Sequence, residues 1–482
     1  MTTTKQDPII YRNLIGGEWV EGEELLPVYH KYTGEVIGYV TKASKQVVHD
    51  AVSNAYETFK TKKLTTQQRY EILMRAAEIF KERKEELALT IVHEAGKVLK
   101  DARAEIDRGI QTFVASAEEA KRICGKGVPI QGQPGEDNKM AFTIRVPVGV
   151  VGAITPFNFP FNLTAHKIAP AIAAGNTVVL KPAEVTPIIH MKLVEILMEA
   201  GLPGGFVNVV NGLGKETGQY LLEEELVAMY SFTGSAPVGR HIKSTTGIRR
   251  VVLELGNNSP NIVHYDVKDL KRAAKLCVTK GYGNSGQACI SVQRIYVHED
   301  IYDEFVKEAI EITKTIKVGN PELPDTDVGP MISEQAAIRA ENWIKEAKEA
   351  GAKVVYGGTR EGAILHPTVL TDVTPNMKVV CEEIFAPVIS IIKYSDIEDA
   401  FKQANHSNLG LQAGIFTSDL NLAMRAAQEL EFGGVIINNV STYRADIMPY
   451  GGVKDSGLGK EGPKYAIEDM TEEKIVVIDL EQ

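Results

Sequence analysis

Cys289 closes the run Gly283-Asn284-Ser285-Gly286-Gln287-Ala288-Cys289, with small and polar residues before it and no apolar helical stripe leading in. A lone cysteine ordinarily serves as a small buried hydrophobe. A glycine-rich turn instead leaves a thiol accessible and offers backbone N–H groups to a thiolate. The other three cysteines read as packing residues. Cys277 lies in an amphipathic stretch, Cys124 at a helix end, and Cys381 beside Glu382 and Glu383, whose charge disfavours a thiolate. Glu254 ends the apolar run 251–253, where a carboxylate is costly unless it is paired or functional. Alone it reads as an ion-paired or capping residue. With Cys289 further along, it completes a pair able to do two-step chemistry, a thiol nucleophile and a carboxylate that activates water. Asn158, between Pro156 and Pro160, is either an ordinary turn residue or an amide donor for a developing oxyanion.

The elements that must carry these residues follow from pattern. Short β-rich runs at 150–155, 177–180, 207–210, 227–232 and 251–253 alternate with helical segments, the signature of a parallel, doubly wound sheet. Just beyond the carboxyl ends of these runs lie Asn158, Lys181, Glu184, Gly214, Gly234, Ser235 and Glu254, where open α/β sheets bind ligands. Strand-to-helix turns use Gly, Ser and Asn for geometry as well. Gly234 and Ser235 open a helix, whose N-terminus attracts phosphate, although the G-x-G-x-x-G fingerprint is absent. Thr186 is expected to cap the helix after the second run, with Pro187 at its first position and Gly201 past its end. Upstream, 65–92 reads as one amphipathic helix opened by a Thr65/Gln68 capping box. After Glu254 a second alternation begins. Helices at 270–280, 302–314, 335–350 and 397–404 separate β-like runs at 293–297, 388–393, 412–417 and 434–437. The terminal apolar run 474–480 has no evident partner in its own chain, so pairing with another subunit is the economical expectation.

Composition sets the frame. At 482 residues the chain implies two or three domains. With 53 Lys+Arg against 63 Asp+Glu it lacks the basic excess needed to hold nucleic acid or anionic lipid. Four cysteines without a C-x-x-C pair, no apolar leader and no long apolar segment lead us to expect a soluble cytoplasmic protein. The histidines are scattered without H-E-x-x-H or a Cys/His cluster, and no phosphate-loop motif occurs, so we expect no metal and no P-loop nucleotide chemistry.

Together these segments resemble the aldehyde dehydrogenase superfamily from about Gly16-Gly17-Glu18-Trp19 to Gly451-Gly452-Val453-Lys454. Six motifs carry the resemblance in order: PFNFP around Asn158, KPAE at 181–184, FTGS at 232–235, LELG at 253–256, GQAC at 286–289 and EEIFAPV at 382–388. The resemblance implies an α/β fold with two doubly wound domains and a bridging β element. Residues 1–122 and 145–254 would bind cofactor, 255–445 would be catalytic, and 123–144 with 460–482 would build a homodimer or homotetramer. It makes Cys289 the nucleophile, Glu254 the general base and Asn158 the oxyanion donor. Thr155, Pro156, Phe157, Lys181, Glu184, Gly214, Gly234, Ser235, Val238, Leu255, Glu383 and Phe385 would hold NAD or NADP. A carboxylate at Glu184 would accept bonds from ribose hydroxyls and repel a 2′-phosphate, which favours NAD.

The chain departs from the family pattern at Phe157 for the usual Trp, Asn257 for the second glycine after LELG, and Ala386 for the usual Gly. The run 438–444 with Met448-Pro449-Tyr450 is similar to the branch acting on small hydroxylated or anionic aldehydes, lactaldehyde and glyceraldehyde 3-phosphate among them. Ala288 is unlike the Arg found there in phosphate-specific members. Arg108 and Arg444 fall in segments that line the aldehyde tunnel of the family and would bind substrate, the plain alternative being solvated or ion-paired arginines. Competing readings are a broad-specificity or aromatic/aliphatic dehydrogenase, a cofactor-free thioesterase-like hydrolase, and a catalytically silent binding protein of the same fold. Loss of the Cys or Glu would mark the last, and both are present.

Overall fold

The computed structural model describes residues 9–22 and 24–480; the first eight residues and the last two of the expected element 460–482 lie outside the described residues. Two large sheets organise the chain. In the first, parallel strands run in the order Arg250–Glu254, Val227–Thr233, Val150–Ile154, Thr177–Lys181 and Val207–Val209. Antiparallel Gly457–Leu458 closes one side, and Asn13–Ile15 followed by Glu18–Val20 closes the other. Successive strands step outward in opposite directions from Val150–Ile154, so the order reverses between it and Val227–Thr233. That switch point opens a crevice at the strands' carboxyl ends. In the second sheet, six parallel strands run from Thr368–Thr371 to Gly434–Ile437, with antiparallel Lys353–Tyr356 outside. Three of its strands, Pro260–Val263, Lys353–Tyr356 and Thr368–Thr371, escape the sequence pattern, whereas Gly434–Ile437, of the same four-residue length, does not.

Local details depart from expectation in instructive ways. The segment 65–92 is two helices, Thr66–Glu82 and Lys84–Ala95, meeting at Arg83. The capping box is present, with the Gln68 amide donating to Thr65 Oγ1 at 3.2 Å and the Thr65 amide to Gln68 Oε1 at 2.9 Å. Thr186 does not cap the helix Ile188–Glu199, and its hydroxyl is buried without a partner. Glu94 replaces it from another helix, accepting from the Ile188 and Ile189 amides at 2.8 Å each. Helix Asn162–Ala174 is entered the same way, with the Phe161 and Asn162 amides donating to Glu105, which the buried Lys97 neutralises. A helix's first amides lack partners within the helix, and here remote carboxylates satisfy them.

The C-terminal run does have a partner in its own chain. Thr471–Asp479 pairs antiparallel along its whole length with Lys139–Pro147, which pairs with Gly127–Val128 on its other side. Its apolar side chains Ile475 and Val477, two residues apart and so on one face, nonetheless remain 53% exposed, and its outer edge has no neighbouring strand among the described residues. Of the cysteines read as packing, Cys277 is buried, whereas Cys124 and Cys381 are exposed and belong to no core. Among the described residues no helix is long and apolar enough to cross a membrane.

Candidate active site

The crevice deepens into a cavity of about 1110 Å³ between the two sheets. Cys289 and Asn158 line it, and so do all twelve residues expected to hold cofactor, from Thr155 to Phe385. Glu254, Arg108 and Arg444 are not among its lining residues. Cys289 hangs from a backbone forced into the left-handed region at Asn284 (φ 52°), Ser285 (φ 54°) and Gly286 (φ 71°). A Cβ on Gly286 would come within 2.0 Å of the Ala386 carbonyl oxygen, so only glycine lets this turn approach so closely. The Asn284 amide donates to the Asn158 and Gln287 carbonyls, stapling the two turns together. Asn158 donates one amide hydrogen to the Gln287 carbonyl at 3.0 Å. An amide nitrogen carries two hydrogens, so a second donor remains for a ligand.

Burial pushes the Cys289 thiol up to about 12, against a hydrogen bond with Tyr450 that favours the thiolate. The Cys289 Sγ to Tyr450 Oη distance is 3.0 Å. Behind the thiol, Glu254 ends its strand fully buried, with neither carboxylate oxygen hydrogen-bonded. Burial, then the charge of Glu461, raises its pKa well above the carboxylate range. A carboxylate left without partners in the interior is ready to receive one, such as a water molecule.

A second charged cluster adjoins this pair. Glu461 accepts from Lys167 at 3.1 Å and from Arg444 at 3.0 Å. Burial opposes its ionisation, but these cations outweigh it and hold the carboxyl down at about 2. Arg108 grips Asp446 through two bonds of 2.8 and 2.9 Å, and Asn162 and His166 reach the same carboxylate. Arg444 is therefore an ion-paired interior residue, and Arg108 is ion-paired with a third of its side chain exposed. Sequence reasoning did not single out Lys167 or Glu461, and it named Tyr450 only within the run Met448-Pro449-Tyr450. A lysine in the helix Asn162–Ala174, every residue of which is buried, carries no mark in the sequence that sets it apart.

The residues at the other end of the cavity fit a dinucleotide. Lys181 is a buried ammonium, its acidity raised by desolvation, and its ion-pair partner is the rim carboxylate Glu184 at 3.5 Å. Glu184 also accepts from the Gly214 amide at 3.0 Å. Helix Ala236–Thr245 begins at Ser235 with no side chain capping its amides, an arrangement that suits a phosphate. Glu383, pushed up to about 7 by burial, accepts from the Asn257 amide. A Cβ on Gly256 would lie 2.3 Å from its carboxylate. Phe157 meets Phe385 edge-on at 6.0 Å. The Asn257 side chain ties its own turn, through Ser259, to the segment of Leu411 and Gln412, which gives a packing reason for a side chain at that position.

Among the described residues one group, His30, His93 and Glu322, clusters closely enough to hold a metal ion. His30 Nδ1 accepts from the Tyr32 and Thr33 amides. The neutral ring must then carry its proton on Nε2, where it faces Glu322 at 3.2 Å, which makes the group a hydrogen-bonded clamp.

The sequence profile of the aldehyde dehydrogenase family matches residues 19–476. The chain belongs to the aldehyde dehydrogenase family. It is 52% identical over 480 residues to a 3-sulfolactaldehyde dehydrogenase of Priestia megaterium, covering 100% of this chain and 99% of the relative. The crystal structure of aldehyde dehydrogenase 21 from Physcomitrella patens, in complex with its reaction product succinate, superposes with a TM-score of 0.96 at 40% identity, covering 99% of both chains. The glyceraldehyde-3-phosphate dehydrogenase of Methanocaldococcus jannaschii, complexed with NADP, superposes with a TM-score of 0.91 at 41% identity, covering 95% of this chain and 99% of that one. As an aldehyde dehydrogenase the chain oxidises an aldehyde to a carboxylic acid with NAD or NADP as acceptor.

Proposed function

We propose that this aldehyde dehydrogenase acts on a small hydroxylated aldehyde bearing an anionic group, through a thioester on Cys289. The observation that carries this reading is the charge behind the site. Three cations, Arg108, Arg444 and Lys167, face two carboxylates held ionised, Asp446 and Glu461. Cations outnumber the carboxylates that bind them, and a low-dielectric interior extends their reach. The three relatives agree in chemistry, since sulfolactaldehyde carries a sulfonate, glyceraldehyde 3-phosphate a phosphate and succinate a second carboxylate. Arg108, the more exposed arginine, is the one able to turn from Asp446 toward such a group, with Arg444 supporting the field from within.

In this mechanism the Cys289 thiolate adds to the aldehyde carbon, and the Asn158 amide and the Cys289 N–H hold the oxyanion. Bound NAD or NADP supplies the hydride acceptor. Lys181, Glu184, Gly214, the helix start at Gly234 and Ser235 with Val238, Leu255, Glu383 and Phe385 would hold it, along the wall formed by Thr155, Pro156 and Phe157. Glu254 takes a proton from the water that attacks the thioester, which releases the acid and returns the sulfur as thiolate. The Glu184 carboxylate favours NAD over NADP. The four unpaired thiols suit a reducing cytoplasm. The free edge of Thr471–Asp479, with Ile475 and Val477 exposed, suits assembly into a homodimer or homotetramer.

Steady-state kinetics on sulfolactaldehyde, glyceraldehyde 3-phosphate, the semialdehyde of succinate and propanal, each with NAD and NADP, test the reading. A charge-assisted contact worth about 1.5–3 kcal/mol predicts a kcat/KM advantage of about 10–100-fold for the anionic aldehydes. Equal values for propanal would make this a broad-specificity enzyme, and a higher kcat/KM with NADP would overturn the cofactor preference.

A further inference from the structure

Tyr450 stands at the join between the thiol and the paired charges, and no role has been given to its hydroxyl. It follows Met448-Pro449 and precedes two glycines. Its ring is buried, in contact with Ile290 and Leu411 in a small apolar cluster that Cys289 also touches. Its backbone is fixed by exchange with Glu461, the Tyr450 amide donating to the Glu461 carbonyl at 3.1 Å and the Glu461 amide donating back. Its hydroxyl has Cys289 Sγ, at 3.0 Å, as its hydrogen-bond partner among the described residues. The Arg444 guanidinium lies 3.7 Å from the centre of its ring. A cation over a phenol ring draws electron density from the oxygen and makes the O–H a stronger donor.

We propose that Tyr450 is the hydrogen-bond donor to the Cys289 sulfur, holding it in place as a thiolate and stabilising it again when it leaves the thioester. The inference rests on the reading of Cys289 as the nucleophile. A phenol O–H can only donate to a thiolate, so the bond is strongest when the sulfur is charged. Two steps place charge there. In the first, the thiol gives its proton to solvent water before attack. In the last, the C–S bond of the tetrahedral adduct breaks and its electron pair returns to sulfur, so the same O–H favours both the entry and the exit of the nucleophile. Arg444 takes part indirectly, by polarising the ring while Glu461 and Asp446 hold it there. The charge of Arg444 also favours the thiolate directly, whereas the carboxylates Glu383 and Glu254 disfavour it. Against two carboxylates and a buried setting, the Tyr450 hydroxyl is the one neutral group bonded to the sulfur.

The test is the pH dependence of Cys289 alkylation by iodoacetamide in the full-length enzyme, using Tyr450→Phe, which keeps the ring beneath Arg444 and removes only the oxygen. The expected midpoint rises by about one pH unit, so that alkylation at neutral pH slows about tenfold. Steady-state kcat should fall by a similar factor, while the cofactor dissociation constant stays unchanged. A ring-fluorinated tyrosine at 450, a stronger donor of nearly the same shape, should move the midpoint the other way, a shift that misfolding cannot mimic. An unchanged alkylation profile in Tyr450→Phe, or the same direction of shift in both variants, overturns the proposal. The reading of Cys289 fails separately, if Cys289→Ala retains turnover whatever Tyr450 does.

Discussion

The two sides of the catalytic centre differ in how completely their polar groups are bonded. On the cavity side, Glu254 has no hydrogen bond to either oxygen, and Cys289 bonds only Tyr450 among the described residues. A few residues deeper, both carboxylates are bonded, Glu461 by Lys167 and Arg444 and Asp446 by Arg108, Asn162 and His166, although Arg444 Nε and His166 Nδ1 have no hydrogen-bond partner among the described residues. Both sides hold buried charge, and burial is costly for each. What separates them is whether the compensating partner is already in the protein. On the proposed mechanism the deeper side serves as scaffold, its carboxylates already paired, and the groups beside the cavity take water and aldehyde as their partners.

If that contrast is right, substitutions on the two sides should fail in different ways. The largest effect belongs to Cys289→Ala. It should lower aldehyde oxidation by about three orders of magnitude or more while thermal unfolding and cofactor binding stay as in the parent. Arg444→Met should do the reverse in kind, leaving Glu461 less compensated and costing about 3–5 kcal/mol of stability in urea unfolding, whatever the substrate. Adding Glu461→Gln to it should recover part of that loss, and a purely additive double variant would break the claim that the pair is a unit. Asn158→Ala should return to the kinetic pattern, with kcat down about a hundredfold or more and a small change in stability.

Smaller effects sharpen where the two sides touch. Glu461→Gln removes a negative charge beside Glu254 and leaves Arg444 and Lys167 to act on it, so both changes favour the Glu254 carboxylate. The acidic limb of the kcat–pH profile, which reports the base losing its proton, should therefore move to lower pH by about one unit. A limb that stays in place would mean that the two carboxylates do not sense each other. Smallest of all, Cys381→Ala should change stability by no more than about 0.5 kcal/mol, since its side chain is exposed, and Cys277→Ala should cost more because its sulfur is buried. Neither should reduce turnover.

The same contrast explains what could be read from the sequence. Cys289, Glu254 and Asn158 were legible because strand ends, prolines and glycines mark their turns locally, and the six motifs put them in order. The alternating sheets were legible because hydrophobic period is local too. The paired cluster was not. Glu461 meets Lys167 across 294 residues and Asp446 meets Arg108 across 338, so no window of sequence holds both partners. Arg108 looked available for substrate because its carboxylate lies in a distant segment, whereas the partners of Arg444, which are Asp446 and Glu461, are near in sequence and only the fold turns them onto it. The Thr186 cap failed for a similar reason, since Glu94 in another helix took its place. Three strands of four residues escaped the pattern while Gly434–Ile437, equally short, did not, so length alone does not account for the misses.

The division of labour between Cys289 and Glu254 is the central claim, and rapid mixing of Glu254→Gln with aldehyde and NAD tests it most directly. The hydride step needs only the thiolate and the oxyanion donors, while hydrolysis needs the base. A burst of reduced cofactor close to one per active site, followed by steady turnover slowed about a hundredfold or more, is the predicted result. Loss of the burst along with the turnover, or steady turnover at the parent rate, would contradict it.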